Sequence, residues 1–369
     1  MSFNIYMPTR VIWGRNCVTD NADVFSSLGR RCLILTGGSS AEKSGALDDV
    51  TGTLAKSGIA YTVFNKISAN PLISVCCEAG AAARACGADF IVGIGGGSVL
   101  DAAKAVAIYA VDETLSPIDI YKRTYNGNPL KVALVGTTAG TGSEVTAVSV
   151  LTNDETGFKK SISGPDCYAA VSFCDPKYTY SMPYDTAIST AFDALAHATE
   201  GFFTPKMCTP LEPFARTAIS DIVEFFCRLG AGEEISQTMR DKVYYASLCA
   251  GLVINTCGTA FPHPLGYVLT ENYGIPHGMA CAAFYPALIK RASEFASVEK
   301  FDLFSSFVNW SVKEVVDALV PFIDIKGVKI TKTQAELYAA RWDSGVPKNF
   351  TASPGGLTKE EAVNLLCSF

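Results

Sequence analysis

Three histidines, His197, His263 and His277, are the whole imidazole complement of this 369-residue chain, and none lies in polar, surface-like sequence. His197 follows Asp193 by four residues in FDALAHATEG, a window with helical periodicity. That spacing puts both side chains on one helix face, about one turn apart, where they can chelate one ion. Taken alone, such a pair is more often a surface hydrogen bond or a cap. The other two histidines change the balance. His263 in FPHPLGY and His277 in IPHGMA are flanked by proline or glycine at turn-like positions in apolar sequence. A joint metal site is therefore favoured over three separately satisfied core histidines. Three neutral imidazoles and one carboxylate suit Fe(II) or Zn(II) and leave room for a substrate oxygen. Affinity order favours zinc over iron, so the identity of the ion depends on supply. An ion in such a site acts as a Lewis acid on a carbonyl or alkoxide oxygen.

A second chemistry is written in glycine. GIGGGSVLDAAKA, residues 93–105, follows an apolar β-type run and opens a helical pattern, so exposed backbone N–H groups and the helix dipole offer a place for phosphates. A structural tight turn is the alternative. The segment lacks the G-K-[ST] ending of a phosphate-binding P-loop, which removes support for kinases and ATPases. LTGGSSAEKSG, residues 35–45, makes a similar strand-to-loop transition. An acidic side chain there would bond the adenosine ribose and select NAD; Gly37, Gly38 and Ser39 stand there instead, with Lys43 nearby, which leans towards NADP over NAD. The plainer reading is a turn followed by a solvated lysine. GTTAGTGSEVT, residues 136–146, is either a third cradle, for a nicotinamide ribose or pyrophosphate, or an ordinary turn.

The elements that must carry these groups divide the chain in two. Cys32 to Thr36, Phe90 to Ile94 and Lys131 to Val135 read as strands, each ending at glycine or threonine, with helical stretches at Ser74 to Cys86 and Val99 to Tyr109 between them. This predicts an α/β dinucleotide-binding domain with a doubly wound, mostly parallel sheet. After Asp175-Pro176 the β-type alternation fades, and helical windows follow at Thr186 to Gly201, Pro213 to Leu229, Arg240 to Val253 and Lys300 to Leu319. The turn formers of DPKYTYSMPYD place the boundary near Pro183, giving an α/β domain over 1–183 and an all-α metal-binding domain over 184–369.

Composition narrows the partners. With 49% hydrophobic and 18% charged residues and a net charge of -6, the chain has no electrostatic footprint for nucleic acid or an anionic membrane. Its start, MSFNIYMPTR, is not read as a secretory signal, and the long apolar stretch from Phe90 to Ala110 is interrupted by Asp101 and Lys104. Thirteen scattered cysteines without a C-x-x-C pair read as small buried hydrophobes in a reducing cytosol, so a cytoplasmic location is expected.

The segments GGGS-x-x-D, GTTAGTGSEVT, DPKYTYSMP, DALAHATEG and HPLGYVLTENYGIPHG, in that order, resemble the iron-dependent (group III) alcohol dehydrogenases, in the branch of the 1,3-propanediol dehydrogenase and lactaldehyde reductase type. The resemblance implies a dinucleotide domain followed by a helical metal domain, an architecture shared with dehydroquinate synthase. It implies a small alcohol or aldehyde as substrate and a homodimer or larger assembly. It also implies Asp193, His197, His263 and His277 as ligands of Fe(II), with Zn(II) as the alternative. Asn70, Gly96, Gly97, Ser98, Thr137, Thr138, Thr141 and Thr146 would lie along the dinucleotide, and Lys159, or its neighbour Lys160, near the nicotinamide ribose. Gly37 and Gly38 stand where NAD-dependent members put aspartate. One departure matters: many members carry a further histidine four residues after the first of the late pair, and Tyr267 stands there. Tyr267, the cofactor ribose or water must then carry the proton. Two rival readings are a dehydroquinate synthase-like lyase using NAD transiently, and a non-catalytic nucleotide binder. The lyase would want a basic cluster, whereas the metal segments offer little besides Lys206.

Overall fold

The apolar runs are strands because each is covered on both faces. In the computed structural model, which describes residues 2–308, 310–325 and 327–369, eight strands form: β1 (Arg10–Trp13), β2 (Arg31–Leu35), β3 (Ala60–Phe64), β4 (Phe90–Gly95), β5 (Lys131–Gly136), β6 (Val148–Thr152), β7 (Lys159–Ser163) and β8 (Val171–Cys174). Six make one parallel sheet in the order β1-β8-β5-β4-β2-β3, with Leu33 opposite Ile91 and Ile91 opposite Val132. Alternate residues feed two cores. Leu33, Leu35, Ile91, Val132 and Leu134 pack beneath the helices Ile73–Cys86 and Gly97–Tyr109. Cys32, Ile34, Val92, Ile94, Ala133 and Val135 pack with Phe25, Val50 and Leu54 on the opposite side. Period-two side-chain direction with both faces apolar leaves a continuous hydrophobic run in the sequence, as expected for a doubly wound sheet.

β6 and β7 form a separate antiparallel hairpin, with Val150 opposite Ser161. No strand follows Cys174 among the described residues. The chain continues through helices Tyr184–Phe203, Glu212–Gly230, Gln237–Cys257, Pro262–Tyr273, His277–Ala282 and Tyr285–Phe295. The single helical window expected over 300–319 is two helices, Val298–Ser305 and Val312–Leu319. The second starts afresh because Ser311 caps it: the serine hydroxyl accepts from the Glu314 N–H while the Glu314 carboxylate reaches back to the Ser311 N–H. No single helix among the described residues is long and apolar enough to cross a membrane. None of the thirteen cysteines, all among the described residues, forms a disulfide.

Contacts group the chain into two compact units, Tyr6–Pro183 and Tyr184–Phe369, the latter joined by Met1–Ile5. The first five residues, expected with the α/β domain, are grouped with the helical unit.

Candidate metal centre and nucleotide loops

In the α/β unit the chain passes from β2 outward to β3, then returns to place β4 on the other side of β2, so strand order reverses between β2 and β4. Ligands of open parallel sheets sit outside the strand C-termini at such a switch point. The loop after β4 holds Gly96 in an extended conformation and opens the Gly97–Tyr109 helix. A Cβ on Gly97 would come 2.3 Å from the Thr141 methyl, and one on Gly96 would come 3.0 Å from Thr138. Glycine here is a packing requirement that lets the loop after β5 close over the helix start. The Thr137 N–H donates to the Gly95 carbonyl at 2.9 Å, and the Asn70 N–H, at φ +56°, donates to the Ser98 hydroxyl at 3.3 Å. Asn70, Gly96, Gly97, Ser98, Thr138 and Thr141 therefore form one cluster. The Thr137 hydroxyl is buried and makes no hydrogen bond among the described residues.

The loop after β2 has a local cause as well. A Cβ on Gly37 would sit 1.9 Å from the Ile67 carbonyl oxygen, so glycine at 37 is demanded by main-chain packing as well as by any cofactor preference. Gly38 has φ +53°, and Ser39 and Lys43 are exposed.

Sequence reasoning missed what holds the third loop. Lys104, fully buried in the Gly97–Tyr109 helix, donates from Nζ to the Ser143 hydroxyl at 2.8 Å, the Thr146 carbonyl at 3.0 Å and the Val148 carbonyl at 2.7 Å. Asp101, 3.7 Å from Lys104, accepts from the Ser143 hydroxyl and from the Val150 N–H. Burial pushes the Lys104 amine down and the Asp101 carboxyl up, and their mutual attraction opposes both shifts. Thr146, expected along the dinucleotide, is buried with its carbonyl and hydroxyl turned to Lys104. Lys159 opens β7 and adds positive charge near Asp101; Lys160 lies over the Tyr121 ring, 4.8 Å from its centroid. An aspartate and a lysine three apart in an otherwise apolar helix were the available signal.

In the helical unit, Asp193, His197 and Glu200 lie at i, i+4 and i+7 on one face of the Tyr184–Phe203 helix, all buried. His263 enters at the second position of the Pro262–Tyr273 helix, where Pro262 is tolerated because a first-turn N–H has no intrahelical partner. Gly274, at φ +67°, ends that helix, and His277 begins the next. A Cβ on Gly278 would meet the Ser189 carbonyl oxygen at 1.8 Å and Asp193 Cβ at 2.9 Å. Only glycine lets the His277–Ala282 helix approach the Asp193 face so closely.

The result is convergence on one oxygen. The Nε2 atoms of His197, His263 and His277 lie 3.7, 3.9 and 3.8 Å from Asp193 Oδ1. These separations are too long for hydrogen bonds, but two donors on one ion at about 2.0–2.2 Å each can stand up to about 4.4 Å apart. Asp193 Oδ1 is buried and makes no hydrogen bond among the described residues. A buried, unbonded carboxylate oxygen is costly unless a cation compensates it, so the donor set fits a divalent ion. Glu200, which sequence reasoning also missed, holds His263: its Oε1 is 2.7 Å from His263 Nδ1, and its Oε2 accepts from the Ala260 N–H at 2.7 Å. Burial raises the Glu200 carboxyl, and His263 beside it pulls the other way. A carboxylate on Nδ1 leaves the Nε2 lone pair for a metal. The i+7 position on the Asp193 face was the signal. Tyr267 stacks on the His277 ring, centroids 5.1 Å apart. Cys281, also unforeseen, joins Asp193, His263 and His277 in a group whose donor atoms all lie within 4.8 Å of one another.

Comparison with known proteins agrees with this chemistry. The model of iron-containing alcohol dehydrogenases matches residues 8–176, and that of the C-terminal region of the Fe-containing alcohol dehydrogenase family matches residues 187–328. The chain is similar to 1,3-propanediol dehydrogenase of Klebsiella pneumoniae, 32% identical over 81% of this chain and 77% of that one. An iron-containing alcohol dehydrogenase structure from Thermotoga maritima superposes with TM-score 0.90 at 33% identity, covering 100% of both chains. Sulfoacetaldehyde reductase from Bifidobacterium kashiwanohense, solved in complex with NAD+, superposes with TM-score 0.87 at 25% identity over 99% of this chain and 98% of that one. Dehydrogenases and reductases among the relatives disfavour the lyase reading. With a parallel-sheet unit, a helical unit bearing a His3Asp cluster, and both family models matched in order, the chain belongs to the iron-containing alcohol dehydrogenase family.

Proposed function

We propose that this protein interconverts a small primary alcohol or diol with its aldehyde, uses NADP(H) in preference to NAD(H), and holds Fe(II) on Asp193, His197, His263 and His277. The observation that carries the reading is the buried Asp193 Oδ1, without a hydrogen bond among the described residues and with three imidazole Nε2 atoms 3.7–3.9 Å away. A divalent ion there supplies Lewis-acid polarisation of the substrate oxygen, and the bound dinucleotide supplies or accepts the hydride. The protein's part is to position. Asp193 and His197 are held one turn apart on a buried helix, and Glu200 orients His263. One carboxylate against three neutral imidazoles leaves the site net positive, which offsets negative charge developing on the substrate oxygen. The clustered Asn70, Gly96, Gly97, Ser98, Thr138 and Thr141 cradle the dinucleotide, with Thr137 and Thr146 beside them, and Lys159 serves its ribose. Lys43, with Gly38 and Ser39, favours a 2′-phosphate.

The test is a spectrophotometric one. Metal-free protein reloaded with Fe(II) or Zn(II) is mixed with small aldehydes, and NADPH or NADH oxidation is followed. Turnover with a lower KM for NADPH is expected; an equal or lower KM for NADH removes the cofactor preference, and no oxidation of either cofactor with any aldehyde removes the dehydrogenase reading.

With all three histidines gathered at Asp193, the proton must travel by Tyr267, the cofactor ribose or water, and Tyr267 is the side chain among these, stacked on the His277 ring. Tyr267→Phe is expected to lower kcat by about tenfold or more, in line with acid–base contributions. An unchanged kcat takes Tyr267 out of the proton route. A cytosolic homodimer completes the proposal, resting on thirteen cysteines outside any disulfide and on the family resemblance; sedimentation as a monomer would remove the assembly.

A further inference from the structure

His263 stands between two prolines, so its placement depends on bonds made before its helix begins. Pro262 and Pro264 have no N–H, and of the first three positions of the Pro262–Tyr273 helix only His263 has a backbone donor. The proline rings also fix φ on either side of the histidine, which couples its backbone stiffly to Phe261. Each of the three residues ahead of the helix is held by a side chain from elsewhere in the chain. The Ala260 N–H donates to Glu200 Oε2 at 2.7 Å, and the Phe261 N–H donates to the Ser353 hydroxyl at 3.0 Å. Asn349 Nδ2 donates to the Thr259 hydroxyl at 2.7 Å and to the Thr259 carbonyl at 3.2 Å. Ser353 is buried and is itself fixed, because its hydroxyl donates to the Asn349 carbonyl at 2.7 Å. Asn349 lies in the short helix Lys348–Ala352, and Ser353 ends it. The far end of the His263 helix is tied to the same C-terminal stretch: Arg341 donates to Glu271 at 2.7 Å.

We infer that Ser353 is a positioning residue of the metal centre: by holding the Phe261 N–H it sets where His263 Nε2 stands relative to Asp193 Oδ1. The inference rests on the reading of Asp193 and the three histidines as a metal centre. Glu200 on Nδ1 turns the His263 ring, but the ring must also be placed, and its Cα is carried by the turn that Ser353 grips. A hydroxyl suits the position because it accepts from Phe261 and donates to Asn349 at once. Removing it leaves the buried Phe261 N–H without its partner, and the turn shifts to find another. Donors to one ion must be held to within about 0.5 Å. Asp193 and His197 sit on the Tyr184–Phe203 helix and do not depend on this turn. The effect of Ser353 therefore falls on one donor of four: the ion is held more weakly and in a different geometry, and is not lost outright.

The experiment loads full-length, metal-free protein with Co(II), measures affinity by competition with a chelator, and records the visible d–d bands that report the ion's geometry. Ser353→Ala is expected to bind one equivalent about tenfold more weakly than wild type, the lower end of the loss when a group supporting a ligand is removed, with displaced bands. Ser353→Thr, which keeps the hydroxyl, should restore both. Val363→Ala, a cavity in the same C-terminal stretch, is the control for stability alone: its urea midpoint should fall while affinity and bands stay as in wild type. Wild-type affinity and bands in Ser353→Ala overturn the role of Ser353 and leave the centre standing. An equal loss in Val363→Ala also overturns it, since general loosening then explains the effect. No cobalt bound by wild type overturns the centre and this inference with it. If Ser353→Ala does not fold, Asn349→Ala, at a half-buried side chain, decides in its place by the same two readouts.

Discussion

His263→Ala is expected to lose the bound ion and about a thousandfold of kcat together. His263 has two attachments in the site: Nε2 faces Asp193 Oδ1 at 3.9 Å, and Nδ1 is held by Glu200 at 2.7 Å. Alanine removes one donor and leaves the Glu200 carboxylate buried beside a hole, so ion affinity falls for two reasons. Lewis-acid stabilisation of the reacting oxygen supplies several kcal/mol, and each 1.36 kcal/mol is tenfold in rate, so losing about 4 kcal/mol gives about a thousandfold. Elemental analysis of the purified variant beside its NADPH oxidation rate checks both halves. Full activity with full metal content would show that the ligand set is wrong. Metal retained with activity lost would instead mean that His263 acts on the substrate rather than on the ion.

Lys104→Met should destabilise the α/β unit by about 3 kcal/mol, the lower end of the cost of breaking a buried ion pair. The lower end applies because the Asp101 side chain keeps 14% exposure and retains its bonds from Ser143 and Val150. What is lost is the donor that Thr146 and Val148 turn their carbonyls to, so the loop from 136 to 146 also loosens. With a urea dependence of about 3 kcal/mol per molar, the midpoint falls by about 1 M, and the KM for the dinucleotide should rise in the same variant. Adding Asp101→Asn should recover part of the stability, since the uncompensated charge is gone. A Lys104→Met protein as stable as wild type would show that the buried lysine is not what holds the loop.

The two substitutions fall on groups of different legibility. His263 could be chosen from the sequence because histidine is scarce here and sits among prolines and apolar residues. Lys104 was marked only by Asp101 three residues before it in an apolar helix, and a lysine in a helical window reads as a solvated residue until the sheet, the hairpin and the 143–148 segment close over it. The break in the helical window over 300–319 is of the same kind: the local capping box at Ser311 and Glu314 outweighs a periodicity that continues through it.

By itself, then, the sequence determined the three central strands of the sheet and the residues whose types could serve as donors to an ion. Strands buried on both faces leave continuous apolar runs at β2, β4 and β5, and Asp193 with three rare histidines marks a metal chemistry by residue type alone. Only the tertiary structure decided the partners: Glu200 behind His263, Cys281 beside His277, and Lys104 beneath the loop that closes on Gly97. Glu200 and His263 are 63 residues apart, Lys104 and Val148 are 44, and Gly278 sets how closely two helices approach. Local patterning follows from periodicity along one element, whereas which side chains share an ion or a buried charge depends on where separate elements cross.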